Sequence, residues 1–417
     1  MIALFFLINY SIYFANLHSH TEFSDGEGMP AEAFLYARDS ARIDILAITD
    51  HSHQLTPEEY RILRETARQF TTEGKFIALA GQEFGNVGVD GFGHIDIFEA
   101  ESICTVDRND LNGFYSWFID QDKPGQFNHP AYNNKNFNGF IYNPEVDEKM
   151  GLLELLNQHN LALNDFRLCL SKGWKVGVTA NQDNHHRHWG DQVNQNGDIP
   201  LTGLLAQSLT REDILDALIK GRTYALEVSP REDRIHLEFT VDNQPMGERL
   251  ITPRPTVTLR IKATGLIDFS RLYIYRNGYV FDSVININSS HIDYTRIDTT
   301  GNYYYYVELL QTDGDHAWSS PVWVEIQRDR DVVEIWPNPV RENRAYLVIP
   351  RVDDFKSGEV IIGNVLGQRV FYKKITTTEQ VQIDCHELPI GVYFVKVRIL
   401  NRFGDQTIYQ NKMAVIR

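Results

Sequence analysis

The chain has 417 residues, which is enough for two to four domains of ordinary size. Its composition, 42% hydrophobic and 23% charged, is that of a folded globular protein and excludes a largely disordered chain. The formal charge of −16 and the absence of a Lys/Arg block in the sequence argue against nucleic acid as a bulk partner, because phosphate backbones are bound by clustered cations.

The chain opens with the apolar run MIALFFLINYSIYFA, which fits both part of an export signal and a first strand. It lacks the basic residues that begin a secretion signal, and cleavage after Ala15 would remove the strand. We therefore expect the N-terminal leader to be truncated or its start to be misplaced. No later stretch of the sequence has the roughly eighteen uninterrupted apolar residues of a transmembrane helix, so none is expected.

Up to about residue 230, short apolar runs alternate with helical patterns. The runs IDILAITD and KFIALAGQE have the continuous apolar character of buried strands. Between them, TPEEYRILRETARQF begins with Thr56 as a helix N-cap and has Pro57 at the first helical position. The same order recurs up to WKVGVTANQD, which predicts an α/β domain with a parallel sheet or barrel over residues 1–233.

The second half of the chain reads as two small all-β sandwich domains. Alternating and aromatic strands, with the hairpin signal Asn277-Gly278 between two of them, predict an Ig-like sandwich over residues 234–328. Its tyrosine run YYYY favours packing inside the sandwich over a carbohydrate-binding surface. A charged run around RDRDVVEIWPNP then leads into further strands, which predict a second sandwich over residues 329–417.

Metal-ligand residue types recur in the first domain where the apolar runs end. In NLHSHTEFSDG, His18 and His20 are separated by one residue, so on a strand they face the same side, as two ligands of one metal require. Histidines and carboxylates also stand at five later strand ends. The candidate metal ligands are His18, His20, Asp25, His51, Glu83, His94, His129, Asp183 and His185.

In an α/β barrel these strand ends would meet on one face, where active sites of such barrels lie. A set of imidazoles with three carboxylates favours a multinuclear site for zinc, manganese or iron. A purely structural role would require the burial of many titratable groups without partners, which is energetically costly. The pattern therefore predicts a metal-dependent enzyme.

The ordered motifs HSHTEFSDG, AITDHS, GQEFG, GHIDIF, FNHP and NQDNHH resemble those of the PHP superfamily, named for polymerase and histidinol phosphatase. The resemblance covers about residues 12–230, and NQDNHHRHWG is closest to its carbaryl-hydrolase-like branch. It implies a distorted, TIM-like (β/α)7 barrel that holds two or three divalent metal ions (Zn, Mn or Fe).

The resemblance also implies how the ligands divide among the metals. The first metal would be held by His18, His20, Glu83 and Asp183. Glu83 would bridge to a second metal, whose other ligands are His94 and His129. The third metal would be held by Asp25, His51 and His185.

Such a site uses a metal-bridging hydroxide as nucleophile and binds the oxygens of the substrate and leaving group. The chemistry suits phosphate esters, so the first expectation is a phosphoesterase for phosphodiesters or phosphomonoesters. A carbamate, ester or amide hydrolase at the same metal site is the alternative. From another class, the chain could be a surface-bound binding or adhesin scaffold with the barrel as its support.

Four further residues are candidate catalytic or supporting groups. Asp50 beside His51 would orient a ligand or shuttle protons, unless it is a helix N-cap. His53 and Arg187 would bind a substrate anion or protonate a leaving group. Arg222 in GRTYA resembles a recurrent feature of the branch that reaches the pocket, although a cation at a helix C-terminus would explain it nearly as well.

Two other residues complete the expectations for the first domain. Glu154 ends the apolar run of LLELLN and would orient a ligand histidine. His159 lacks the context of a strand end with other ligands, so we expect an ordinary structural or surface histidine.

The last ninety or so residues resemble the type IX secretion sorting domain of Bacteroidetes through IWPNPV, VLGQRV, LPIGVYFVKV and NKMAVIR. This resemblance implies export through the periplasm to the cell surface or the medium, with the type IX secretion machinery as a partner. The substrate of the enzyme would then be a small-molecule or surface-derived ester.

Overall fold

A computed structural model describes residues 10–416 except 131, 230, 327–332, 342, 350–354, 377–379 and 402–405. The beginning of the predicted leader and most of the charged run before the last domain therefore lie outside the described residues. The chain forms two compact units. The first contains residues 1–250, 257–298 and 302–324, and the second contains 251–256, 299–301 and 325–417.

The N-terminal part of the first unit mixes strands and helices, as the sequence predicts. Its strands are β1 (Ser11–Asn16), β2 (Ile45–Ile48), β3 (Ile77–Asn86), β4 (Gly93–Phe98), β5 (Gly125–Asn128), β6 (Leu152–Asn157), β7 (Asn160–Leu161), β8 (Gly177–Asn181), β9 (Leu201–Ala206) and β10 (Thr223–Leu226). Its helices are α1 (Pro30–Tyr36), α2 (Pro57–Phe70), α3 (Leu111–Gln121), α4 (Phe137–Phe140), α5 (Pro144–Asp147), α6 (Leu163–Ser171) and α7 (Arg211–Lys220).

Helix α2 begins where the sequence predicts. Thr56 Oγ1 accepts a hydrogen bond from the Glu59 N–H at 3.2 Å, and Glu59 Oε2 accepts one from the Thr56 N–H at 2.8 Å. This reciprocal pair satisfies two of the N–H groups that a helix start leaves unpaired. Tyr60, Leu63 and Ala67 are buried on one face, as their helical spacing requires.

The sheet is mixed rather than parallel. β1 to β3 are parallel, as are β5, β6 and β8, but β4 is antiparallel to both β3 and β5, and β9 is antiparallel to β1 and β10. A short turn over 87–92 joins β3 to β4, which forces an antiparallel pair because a parallel return needs a long crossover. The α/β class is confirmed, but a regular (β/α)7 barrel is not.

Side chains link β8 to β9. Among the described residues no backbone ladder joins the two strands, and Thr202 Oγ1 on β9 donates to Ala180 O at 2.9 Å and accepts from the Ala180 N–H at 3.1 Å. Ser320 Oγ accepts from the Val178 N–H at 2.8 Å. On the edge of β8 that does not pair with β6, two hydroxyl groups therefore bind backbone groups of Val178 and Ala180, and strand pairing does not close the sheet here.

The rest of the first unit is all-β. Its strands are β11 (His236–Val241), β12 (Gln244–Pro245), β13 (Arg249–Thr252), β14 (Thr256–Arg276), β15 (Tyr279–Thr299), β16 (Tyr303–Gln311), β17 (His316–Ser319) and β18 (Val322–Ile326). Asn277 and Gly278 both have positive φ in the turn between β14 and β15, as the sequence predicts. Tyr305 and Tyr306 of the tyrosine run are buried, which agrees with a packing role.

The second unit contains two antiparallel sheets, which agrees with an additional all-β domain. Its strands are β19 (Glu334–Trp336), β20 (Arg344–Val348), β21 (Phe355–Asn364), β22 (Arg369–Ile375), β23 (Val381–Asp384), β24 (Gly391–Asn401) and β25 (Gln406–Val415). The strand orders are β19-β20-β23 and β22-β21-β24-β25. Both sheets contribute to one apolar cluster, which includes Leu347, Val360 and Val395.

None of the helices in the described part of the chain has the length and apolar character that crossing a membrane requires.

Replacing Thr202 with valine should destabilise the first unit by about 1–3 kcal/mol, because valine keeps the shape but leaves the buried Ala180 N–H and C=O without partners. The denaturation midpoint of the variant, measured in urea, should fall. Thr202→Ser is the matched control, since it keeps the hydroxyl group and should recover most of the loss. Equal midpoints for Thr202→Val and the wild type would show that these bonds do not stabilise the junction.

Candidate metal centre

The structure brings all nine candidate ligands together at one edge of the sheet. They form four overlapping groups, within each of which the donor atoms lie within 4.8 Å of one another. The groups are His20, Asp25, His51 and His185; His18, His20 and Glu83; His18, His129 and Asp183; and His51, Glu83 and His94. The grouping differs in detail from the division that the resemblance implies, because three histidines as well as Glu83 belong to two groups each, namely His18, His20 and His51.

Glu83, which is 1% exposed, lies at the centre of the cluster. Its Oε1 is 3.0 Å from His94 Nδ1 and 3.2 Å from both His18 Nε2 and His129 Nε2. Its Oε2 is 2.9 Å from His51 Nδ1. Burial raises the pKa of Glu83, but the surrounding histidines outweigh it and hold this pKa well below its ordinary value.

Asp183 completes the inner part of the cluster. Its Oδ1 lies 3.2 Å from His20 Nε2 and 3.4 Å from His18 Nε2. Burial raises the pKa of Asp183, yet the neighbouring His18 and His20 lower it well below its ordinary value. Burial also lowers the pKa of His20 to about 4, so this imidazole is neutral and can offer a lone pair at neutral pH.

The donor set fits divalent transition metals. The Nε2 atoms of His18 and His20 lie 3.2 Å apart and both point toward the same carboxylates. The buried Nδ1 of His94 has no hydrogen-bond partner among the described residues, although Glu83 Oε1 is close to it. Several imidazole nitrogens and carboxylate oxygens that converge in this way match the ligand preferences of zinc, manganese and iron.

Glu154 orients two of the candidate ligands. Its fully buried carboxylate has Oε1 3.2 Å from His18 Nδ1, and its Oε2 accepts the His129 N–H at 2.8 Å. A proton on His18 Nδ1 shared with Glu154 leaves Nε2 free to face Glu83 and Asp183. The geometry agrees with the orienting role expected from the sequence.

Asp50 fixes the loop that carries Asp25. It is fully buried and accepts from the Thr21 N–H at 2.8 Å, from Thr21 Oγ1 at 2.6 Å and from Ser24 Oγ at 2.5 Å. Burial raises the pKa of Asp50 to about 6, although these hydrogen bonds lower it. Its contacts fit the expected orienting role, with the carboxylate directed at the loop that follows β1.

The other three supporting candidates lie outside the metal cluster. His53 is exposed and lines a neighbouring cavity together with Arg108, with its ring 5.3 Å from that of His51. Arg187 is 58% exposed and its Nη1 lies 3.4 Å from Glu32 Oε2. Neither residue lines the cavity that contains the cluster.

The structure corrects the placement expected for Arg222. Its guanidinium is 2% exposed, and it binds Asp216 at 2.5 Å, Glu248 at 3.0 Å and Leu205 O at 3.3 Å. It stands just after Gly221, which caps α7, so it fits the alternative of a cation at a helix C-terminus. Since its donors are occupied in this ion-pair network, Arg222 does not reach the metal-site cavity.

Sequence reasoning missed Asp96, a fully buried acid on β4 that pairs with Glu83 across the sheet. Burial raises its pKa well above the ordinary value, and its Oδ1 has no hydrogen-bond partner among the described residues. The signal was present in GHIDIF, because His94 and Asp96 are two residues apart and therefore share one face of the strand. Asn128 was also missed; its Nδ2 donates to Glu83 Oε1 at 2.9 Å.

The cluster opens into a cavity of about 510 Å³. Six candidate ligands line it: His51, Glu83, His94, His129, Asp183 and His185. His159, expected to be an ordinary surface or structural histidine, also lines this cavity together with Tyr132. The sequence carries no local signal for this position, because the residue reaches the site on a turn between β6 and β7.

Comparisons with known proteins add the following. Residues 334–409 match the family model for the secretion system C-terminal sorting domain, which confirms the sorting domain expected from the sequence. Uncharacterized proteins of Chlamydia pneumoniae and Chlamydia trachomatis serovar D are 24% identical over 360 residues and 23% identical over 357 residues. Each alignment covers 74% of this chain and 57% of the relative, so the chain spans a little over half the length of the curated relatives it matches.

Among solved structures, the chain is similar to a two-domain protein from Bacteroides vulgatus that contains a predicted PHP-like metal-dependent phosphoesterase. The identity is 17%, the TM-score is 0.45, and the match covers 75% of this chain and 95% of that one.

A Glu154→Gln variant should bind metal about 10- to 100-fold more weakly, because the amide no longer fixes the tautomer of His18. Zinc affinity measured by calorimetry on chelator-treated, folded protein tests this expectation. Glu148→Gln removes an exposed carboxylate that precedes β6 and should leave the affinity unchanged. Equal affinities for the wild type and Glu154→Gln would show that Glu154 does not orient a metal ligand.

Proposed function

We propose that this chain is an exported metal-dependent phosphoesterase that acts on phosphodiesters or phosphomonoesters. The observation that carries the proposal is the convergence of imidazole and carboxylate donors around the buried Glu83. In this proposal the nine ligands hold two or three divalent ions within a distorted (β/α)7 domain of residues 1–233. Two β-sandwich domains follow it, over residues 234–328 and 329–417.

The lining of the cavity supports a hydrolase that activates water. Among the described residues that line it, there is no serine, threonine, cysteine or lysine, so none of the usual side-chain nucleophiles of those types is offered. Divalent metals at this site would lower the pKa of a water molecule and neutralise the oxygens of an ester. Phosphate esters, which carry their charge at the reacting group, fit such a site well.

The chain's own residues hold the ligands in place. Glu154 keeps the Nε2 of His18 directed toward Glu83, and the same carboxylate binds the backbone of His129. Asp50 fixes the loop on which Asp25 stands. Preorganised ligands spare the site reorganisation during the reaction, which is how a protein contributes most to metal-assisted hydrolysis.

The wild-type protein, purified without chelator, should contain two or three equivalents of metal and hydrolyse bis-p-nitrophenyl phosphate or p-nitrophenyl phosphate faster than a naphthyl carbamate. Glu83→Gln should lower kcat/KM by about 100-fold or more and reduce the metal content, because it removes the carboxylate at the centre of the ligands. Elemental analysis and steady-state kinetics measure both effects.

Glu27→Gln is the matched control, since Glu27 is exposed and contacts only the exposed His186 among the described ion pairs. Turnover by Glu83→Gln at the wild-type rate would show that the ligand assignment is wrong. Preference for the carbamate would select the alternative hydrolase. Metal-free, inactive protein that cannot be reconstituted would favour a binding scaffold.

The match to a secretion sorting domain supports export of the proposed enzyme. In a host with a type IX secretion system, and behind the same export leader, a chain lacking residues 334–417 should remain in the periplasm while the full chain reaches the surface or medium. Immunoblots of cell fractions, with a periplasmic marker as control, measure this difference. Equal surface delivery of both forms would contradict the proposed sorting role.

A further inference from the structure

A two-residue turn forms part of the wall of the metal-site cavity. Gln158 and His159 join β6 to β7, and Gln158 has a φ of +51°. The Gln158 N–H donates to Asn181 O at 3.0 Å, while Gln158 O accepts from Asn194 Nδ2 at 3.2 Å. A left-handed conformation in a residue other than glycine costs about 1 kcal/mol and persists where the surroundings impose it. The turn is therefore held in place beside the site.

A second turn contributes an aromatic ring to the same wall. Tyr132 is 49% exposed, and its ring centroid lies 5.7 Å from that of the candidate ligand His129. Asn133 Nδ2 donates to Val87 O at 3.4 Å and Lys135 Nζ donates to Val89 O at 3.0 Å. These bonds link the turn to the β3–β4 connection and so hold the backbone that carries Tyr132 in position.

Hydrogen-bonding groups on this wall are free for a ligand. Among the described residues, the side chains of Gln158, His159 and Asn160 form no hydrogen bond or ion pair within the molecule, and all three line the cavity. The neighbouring Asn157 differs, because its Nδ2 donates to Glu154 Oε2 at 3.1 Å and to Asp183 Oδ2 at 3.2 Å. Asn157 supports the metal site, whereas the next three side chains face the space in front of it.

The wall also lacks fixed cations. No lysine or arginine is among the described residues that line the cavity, and the nearby Arg108 lines a different cavity with His53. A second anionic group on a substrate would therefore find no fixed positive side chain here. An apolar group would cover the amides of Gln158 and Asn160 without replacing their hydrogen bonds to water, which is unfavourable.

We propose that this wall is a subsite for a neutral, hydroxyl-rich group, so that the substrates are phosphate esters of sugar-like alcohols. The inference rests on the proposed phosphoesterase function and names the substrate class of the same site. Amide side chains can donate to and accept from neighbouring hydroxyl groups, and His159 can do the same with its two ring nitrogens. The exposed face of Tyr132 offers an apolar surface for the carbon-bound hydrogens of the ring.

The first test compares substrates and variants in the metal-loaded full chain. The double variant His159→Ala/Asn160→Ala should raise KM about 10-fold for glucose 6-phosphate and ribose 5-phosphate, because it removes two sets of hydrogen-bonding groups. The KM for p-nitrophenyl phosphate and the kcat for every ester should stay within about twofold of the wild type, since the candidate metal ligands are untouched. Asn112→Ala, at an exposed asparagine on α3, is the matched control and should change neither parameter.

Tyr132 is tested by two substitutions. Tyr132→Ala should raise KM for the sugar phosphates about fivefold, whereas Tyr132→Phe should keep the wild-type value because it retains the ring face. Recovery in the phenylalanine variant separates stacking from a hydrogen bond through the hydroxyl group.

Binding gives a readout that does not depend on turnover. Calorimetry on the metal-loaded chain should show that a non-hydrolysable phosphonate analogue of glucose 6-phosphate binds about 10-fold more tightly than methylphosphonate, and the double variant should lose this difference. Suppose that the wild type hydrolyses p-nitrophenyl phosphate, but that the double variant leaves the KM for the sugar phosphates unchanged and the glucose 6-phosphate analogue binds no more tightly than methylphosphonate. The proposed subsite is then wrong, and the proposed phosphoesterase function stands. If no ester is hydrolysed but the binding preference exists, the subsite stands and the phosphoesterase is wrong. Absence of both hydrolysis and preference overturns both.

Discussion

The buried carboxylate of Glu83 is the interaction on which the site depends. A carboxylate removed from water is costly unless charges or hydrogen bonds replace its hydration. Here imidazole nitrogens of His18, His51, His94 and His129 lie within 3.2 Å of its oxygens. The imidazoles offset the cost of burying this carboxylate only while each ring keeps its position. Divalent cations among the donors would bind the lone pairs that the rings direct at one another. The sheet therefore has to hold its strand ends rigidly.

The interior of the sheet near the site is built to provide that rigidity. A layer of fully buried polar side chains, among them Gln126, Asn128 and Asn181, lies beneath the ligands. Gln126 Oε1 accepts from Thr179 Oγ1 at 2.7 Å, and Asn181 Nδ2 donates to Glu154 Oε1 at 3.1 Å. Each of these hydrogen bonds satisfies a buried polar group that would be absent from an apolar core. We infer that this part of the sheet gives up apolar packing to keep the ligands oriented.

The candidate ligands could be predicted from the sequence, because strand ends and i, i+2 spacing place side chains on a common face regardless of how the strands pair. The direction of strand pairing left a weaker signal. The apolar character of β3 and β4 fits either direction, and only the shortness of the connection over 87–92 indicates the antiparallel pair. The Thr56 cap was predictable because a helix start is local. Arg222 was misplaced because its partners, Asp216 and Glu248, satisfy it through tertiary contacts that no local pattern records.

The positions of His159 and Tyr132 at the cavity could not be predicted from the sequence. Both reach the cavity on turns that are held by hydrogen bonds to backbone carbonyls far away in the sequence. The Gln158 N–H donates to Asn181 O, and Asn133 Nδ2 donates to Val87 O. Most of the candidate metal ligands stand on strands or within a few residues of a strand end, whereas Asp25 stands on the loop that Asp50 holds. A small displacement of these strand ends would break several contacts at once. Among the described residues, the side chains of Gln158, His159 and Asn160 form no hydrogen bond or ion pair, and the ring of Tyr132 contacts only one candidate ligand, His129, with ring centroids 5.7 Å apart. In the proposed function, the candidate metal ligands would cleave the bond and the turn residues would select the substrate, so a change of substrate would require changes in the turns.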